Sequence, residues 1–214
     1  MAARATLAGL ALALIVLAPS AWATYDDGPG GLMTSPRRAA PVAPGRPGEL
    51  LVVPGRSRGS GHGLAVRFAV EVEGGLHLDR VAFARRVTAV LADPRGWGLA
   101  VRRVSSGPAD FRVTLASPAL TDRLCAPIAT NGRYSCAQAR RAVLNVARWR
   151  GGADSYGPDL RRYRVYLVNH EVGHLLGRGH VGCPGAGLSA PVMMQQTKGL
   201  AGCRPNPWPL AWER

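Results

Sequence analysis

The sequence predicts an α+β domain, and three observations predict it. Residues 66–72 alternate, with Val66, Phe68, Val70 and Val72 on one face and Arg67, Ala69 and Glu71 on the other, which is the period of a half-buried strand. Two stretches, Leu78 to Leu91 and Pro158 to Gly177, carry a helical period instead. Short apolar strands stand between them, and strands mixed with a few helices make an α+β domain. The 214 residues, 47% of them apolar, suit one such domain with a core of moderate size. That apolar content excludes collagen and long disordered tails, and a single apolar run excludes a polytopic membrane protein.

That run opens the chain. Arg4 precedes Ala5 to Ala18, followed by Pro19, Ser20 and the small-x-small triplet Ala21, Trp22, Ala23. The run falls short of the roughly 20 residues that span a bilayer, so residues 1–23 read as a secretory signal peptide cleaved after Ala23. An uncleaved anchor is the alternative. The predicted location is outside the cell, with association to the cell wall in view. Residues 24–62 are rich in Pro, Gly, Arg and Ala and read as a flexible linker, in which only Leu50 to Val53 form an apolar group. The folded domain is expected over residues 63–214.

Within it, Gly74 and Gly75 end the first strand. A helix opens near Asp79 and stops before Pro94. Leu99 to Val104 and Phe111 to Leu115 read as strands, and Ala142 to Trp149 as a fourth. Pro158 suits the first turn of the last helix, which runs through Leu160, Tyr163, Leu167, His170 and His174 to Gly177. Tyr163, Tyr166 and Leu167 read as core. The expected order is β-α-β-β-β-α followed by a tail.

Cys125, Cys136, Cys183 and Cys203 are an even set in an exported chain, which favours disulfides. Three pairings exist. Local closure favours Cys125 with Cys136 and Cys183 with Cys203, because each pair brackets a Gly- or Pro-containing loop at the shorter separation.

The net charge of +14 comes from 27 cations, of which Lys198 is the single lysine. Such an arginine bias reads first as base composition and a solvated basic surface. An anionic cell-wall polymer is the partner it would suit. No basic-aromatic pattern of a nucleic-acid module accompanies it, so no specific nucleic acid is expected.

Residues 170–180 read HEVGHLLGRGH. Histidines at i and i+4 on a helix share a face and reach one metal, so His170 and His174 are expected ligands. Glu171, one position on, is expected to act on the metal's water as general base. His180 returns to the same site only if the chain turns back, and Gly177 permits that turn at positive φ. Three neutral imidazoles leave a fourth position open, the arrangement of catalytic zinc, and one Zn²⁺ is expected. His62 and His77 read as surface residues.

These residues resemble the extended motif of the metzincin metallopeptidases. The resemblance implies a zincin fold with a mixed twisted sheet, a zinc-binding helix and a small lower subdomain holding a methionine turn. Here that turn is Ala190-Pro191-Val192-Met193-Met194-Gln195, with Met193 in the methionine role and Met194 second. A wider likeness runs from about Leu50 through Asp93 to Trp97, Asn145, Trp149, the motif, Cys183, and Gln195 to Leu200 as far as Asn206 to Pro209. Over that length the chain is similar to a secreted actinobacterial family catalogued as a domain of unknown function. Many metzincins place a tyrosine two residues after the turn methionine, whereas Gln195 stands here, so the zinc, Gln195, Gln196 or backbone would assist the transition state.

The expected function is a secreted zinc metalloendopeptidase, acting as a monomer on peptide or protein substrates; the metzincin resemblance further implies that substrate backbone adds to an edge strand above the metal, for which Ala142 to Trp149 is the candidate by position, an ordinary covered strand being the other reading of that segment. The alternatives are a basic, zinc-stabilised cell-surface binding module without hydrolytic activity, and a hydrolase of a non-protein amide such as wall peptide.

Overall fold

In a computed structural model the described residues are 45–60 and 65–214, all within one unit that extends from Val42 to Arg214. The predicted signal peptide, most of the linker and His62 lie outside the described residues. Among the described residues the fold is α+β, with a mixed sheet and four α-helices.

The elements are β1 (Leu50–Val52), β2 (Val66–Glu73), α1 (Arg80–Leu91), β3 (Val101–Arg103), β4 (Phe111–Ala116), α2 (Pro118–Cys125), β5 (Cys136–Gln138), β6 (Arg141–Asn145), α3 (Val146–Gly151) and α4 (Leu160–Leu175). The strands order as β1-β2-β4-β6-β5, and β3 pairs with the start of β2. β2, β4 and β6 are parallel, while β1 and β5 pair antiparallel with their neighbours.

Alternation decides which way the sheet faces. Phe68, Val70, Val72, Val113, Leu115, Ala142 and Leu144 point into one core with α1 and α4. A one-residue slip of β2 would exchange its three apolar side chains for Arg67, Ala69 and Glu71. At roughly 1.5–3 kcal/mol for each large apolar side chain withdrawn from the core, the register is fixed. The opposite face carries a smaller apolar group, Ala116, Leu120, Cys125, Cys136 and Val143, packed with α2. Beside it the buried Glu71 carboxylate accepts from Arg112 Nη1 at 2.9 Å, Arg141 Nε at 3.1 Å and Thr114 Oγ1 at 2.9 Å, so its charge is compensated.

The helices start where short polar side chains can cap them. Asp79 accepts from the Ala82 amide at 2.8 Å and Ser117 from the Leu120 amide at 3.3 Å, with Pro118 in the first turn of α2. Asp159 caps α4 by accepting from the Arg162 amide at 3.0 Å, so Pro158 lies just outside the helix instead of in its first turn.

Three expectations change. Leu50 to Val52, read as linker, form β1 against Leu50↔Glu73 to Val52↔Glu71, and Val53 is buried, so the fold begins before residue 63. The strand expected over Ala142 to Trp149 ends at Asn145, whose side chain accepts from the Ala147 amide at 2.9 Å and starts α3. Nor is this strand an edge, because β6 lies between β4 and β5; the edge on that side is β5.

Both disulfides join the locally favoured pairs, Cys125 with Cys136 and Cys183 with Cys203, at Cα separations of 6.0 and 5.9 Å. The first ties the end of α2 to β5. The second closes the tail after α4, where it packs with Ala190, Met194 and Leu200 in a small cluster separate from the main core. Replacing Cys183 and Cys203 by serine together is expected to cost about 2–4 kcal/mol. Calorimetry of the oxidised proteins checks this, and an unchanged melting temperature would show that the bridge does not support the tail.

Candidate metal centre

The histidines meet because α4 and the turn after it place them there. His170 and His174 stand on one face of α4 with ring centroids 4.8 Å apart. The His180 ring returns to 5.2 Å from His170 and 4.6 Å from His174. One ring nitrogen from each lies within 4.8 Å of the others, and His174 Nε2 is 3.0 Å from His180 Nε2.

The return is built from backbone. α4 ends with the Arg178 amide donating to the Gly173 carbonyl and the Gly177 amide to the His174 carbonyl, both at 3.0 Å, a pattern that needs a left-handed residue. Gly177 supplies it at φ +81°. The same turn aims the Arg178 carbonyl at His174, whose Nδ1 donates to it at 2.8 Å. His170 Nδ1 donates likewise to the Val192 carbonyl at 2.8 Å. A carbonyl only accepts, so both hydrogens sit on Nδ1 and each Nε2 keeps a lone pair. This is how backbone carbonyls orient metal-binding imidazoles.

Burial holds the ring of His170 down at about 3. It lowers His174 and His180 too, the latter helped by the nearby His174 and Lys198. The three rings are therefore neutral at neutral pH, as ligation requires. Three convergent neutral nitrogens fit a divalent transition-metal ion, and His170, His174 and His180 are the residues that can hold it.

Glu171 is buried beside them, and its Oε2 has no hydrogen-bond partner among the described residues. Burial pushes its carboxyl up to about 8. It lines a cleft of about 400 Å³ together with the three histidines. Cys136 and Ala137 of β5 and Gln195, Thr197 and Lys198 also line this cleft.

Met193 packs directly under α4. A Cβ built at Gly173 would overlap Met193 Sδ and lie 2.6 Å from Trp97 Cζ2, so this position in the helix admits only glycine. Glu213 holds the turn from below, its carboxylate accepting from the amides of Val192 and Met193, both at 2.9 Å, and of Leu210 at 2.8 Å. Met194, the second choice, packs instead with the Cys183–Cys203 tail.

Of the residues singled out in the sequence, His170, Glu171, His174, Gly177, His180 and Met193 come together, and Tyr163, Tyr166 and Leu167 are core. His77 is exposed before α1. Gln196 is not free to assist chemistry. It is fully buried, accepting from Tyr156 Oη at 2.9 Å and donating to the carbonyls of Pro191 at 3.0 Å and Asn206 at 2.8 Å, whereas Gln195 faces the cleft. Sequence reasoning missed Gly173, Trp97 and Glu213. Only Gly173 left a signal, since a glycine inside a helix costs about 1 kcal/mol and asks for a packing reason.

Residues 40–203 match the family described as Protein of unknown function (DUF3152). The chain belongs to that family. No curated protein and no solved structure shows significant similarity to this DUF3152 chain.

Two predictions follow from the packing and the charges. Gly173→Ala should destabilise by about 1–3 kcal/mol through overpacking against Met193 and Trp97, read as a fall in melting temperature. In chelator, pH should act through Glu171. With its carboxyl raised from 4.5 to about 8, it contributes stability that is complete below 4.5 and lost as pH rises to 8. His170, lowered from 6.5 to about 3, works the other way, with stability complete above 6.5 and lost as pH falls to 3. Between about 6.5 and 8 the Glu171 effect stands alone among these two, so the melting temperature should fall with rising pH there and stay level in Glu171→Gln. A parallel fall in both proteins would assign it elsewhere.

Proposed function

We propose that this chain is an exported zinc metalloendopeptidase of metzincin type. The observation that carries this reading is the buried, unpartnered Glu171 carboxyl set next to three converging, pre-oriented imidazoles in one cleft. A site that used zinc only to hold the fold would have no need of that carboxyl beside its first ligand.

Zinc held by His170, His174 and His180 would lower the pKa of a water and polarise a carbonyl. The chain's own residues do the rest. With the metal bound, the Glu171 carboxylate would take a proton from the attacking water as its oxygen adds to the scissile carbonyl, and would pass that proton to the amine nitrogen as the C–N bond breaks. β5 presents an edge strand on the cleft, so an extended peptide can add to it by backbone hydrogen bonds; it replaces β6 in that role. Gln195 is the turn residue on the cleft and the candidate to contact the developing oxyanion. Met193 acts from beneath, setting the height of α4.

Export is supported by the two disulfides, and no described helix is long and apolar enough to cross a membrane. Hydrolysis of a wall-peptide amide would use the same groups, and the test below separates it.

Full-length protein supplied with zinc is expected to cut a diverse peptide library at defined positions, read by mass spectrometry. Glu171→Gln should keep the metal and lose all cuts, whereas His180→Ala should bind zinc far more weakly. Equal metal loss in the two variants would overturn these roles. Zinc bound without cuts in the library, but with release from isolated wall peptide, would move the substrate to the wall.

A further inference from the structure

We infer that Lys198 binds a carboxylate of the substrate, so that the cleft selects peptides carrying a carboxylate near the bond to be cut. The inference rests on the peptidase reading for the word substrate, and on the following geometry for the site.

Every other side-chain cation of the chain is an arginine. The ion pairs among the described residues all use arginine, joining Arg67 with Asp110, Arg95 with Asp93, and Arg112 and Arg141 with Glu71. Lys198 has no carboxylate partner there. It ends the short turn Gln196–Lys198 just past the methionine turn and lines the cleft shared by His170, Glu171 and His180. Its Nζ lies 5.0 Å from the centroid of the Tyr134 ring, which comes from the loop between α2 and β5. A cation held over an aromatic face keeps its position while its remaining N–H donors stay free.

Among the residues lining the cleft Lys198 is the one lysine or arginine, and Glu171, the one carboxyl, is buried, so no carboxylate of the described residues competes for the ammonium at the mouth. A compact ammonium on a flexible stem can meet a carboxylate over a range of approaches. The carboxylate has two sources, the free C-terminus of a peptide or the side chain of an Asp or Glu.

The test measures binding apart from cleavage. Zinc-loaded, full-length Glu171→Gln protein is titrated calorimetrically with one N-acetylated neutral peptide in three forms: free C-terminal carboxylate, C-terminal amide, and amide with one internal residue changed to Glu. At a partly exposed ion pair, a carboxylate-bearing form should bind roughly three- to tenfold more tightly than the neutral amide, and the gain should shrink with salt. The gain should vanish when Lys198→Met is added and persist with Lys198→Arg. A gain with the free terminus alone assigns C-terminal recognition, and a gain with the Glu form alone assigns side-chain recognition. Equal binding of all three forms, or a gain unchanged by Lys198→Met, overturns the inference. Cleavage is scored separately with Glu171 intact. If the carboxylate gain is present but no form is cut, the peptidase reading fails while carboxylate recognition by Lys198 stands.

Discussion

The close approach of α4 to the Val192–Met193 turn is the contact on which the site depends. It requires position 173 to have no side chain, because Met193 Sδ and Trp97 fill the space a Cβ would take. With that contact go the 2.8 Å approach of the Val192 carbonyl to His170 and the buried seat of Met193. Glu213 fixes the turn from the other side by accepting from both its amides. The imidazoles are thus positioned by packing and backbone carbonyls before any ligand is considered, the condition under which a functional constellation holds its geometry.

The basic composition has a second meaning in three dimensions. Many arginines donate to backbone carbonyls that the irregular segments leave over. Arg103 reaches the carbonyls of Val53 and Pro54, Arg148 that of Arg133, Arg162 that of Pro205 and Arg164 that of Trp149. A fold with short strands and a long irregular tail has many such carbonyls to satisfy, and a five-donor side chain serves that need. The arginine count, which the sequence alone attributes to composition and a solvated surface, is in part the hydrogen-bonding inventory of the loops.

What the sequence made legible follows the range of each signal. β2, α1, β4 and α4 were readable because their periodicity and caps are local, and the metal-type cluster was readable because i, i+4 spacing and a turn glycine are local too. β1 and β5 are three residues each, too short to carry a period, and exist because β2 and β6 offer them an edge. α2 was missed although Ser117 and Pro118 signal a helix start. α3 was masked by alternation that continues from β6 until Asn145 turns the backbone. Trp97 and Glu213 were invisible because their partners, the Asn169 carbonyl and the Val192 and Met193 amides, are distant in sequence.

The turn between His174 and His180 also bears on how this chain can vary. Residues 176–180 are exposed, and exposed loops usually tolerate insertions and deletions. Here the count of residues is itself a distance, since Arg178 carries the carbonyl that orients His174 and His180 the ring that meets it. The side chains of Leu176 and Arg178 can drift, but the segment's length cannot, so this surface stretch should behave in its indel record like a buried one.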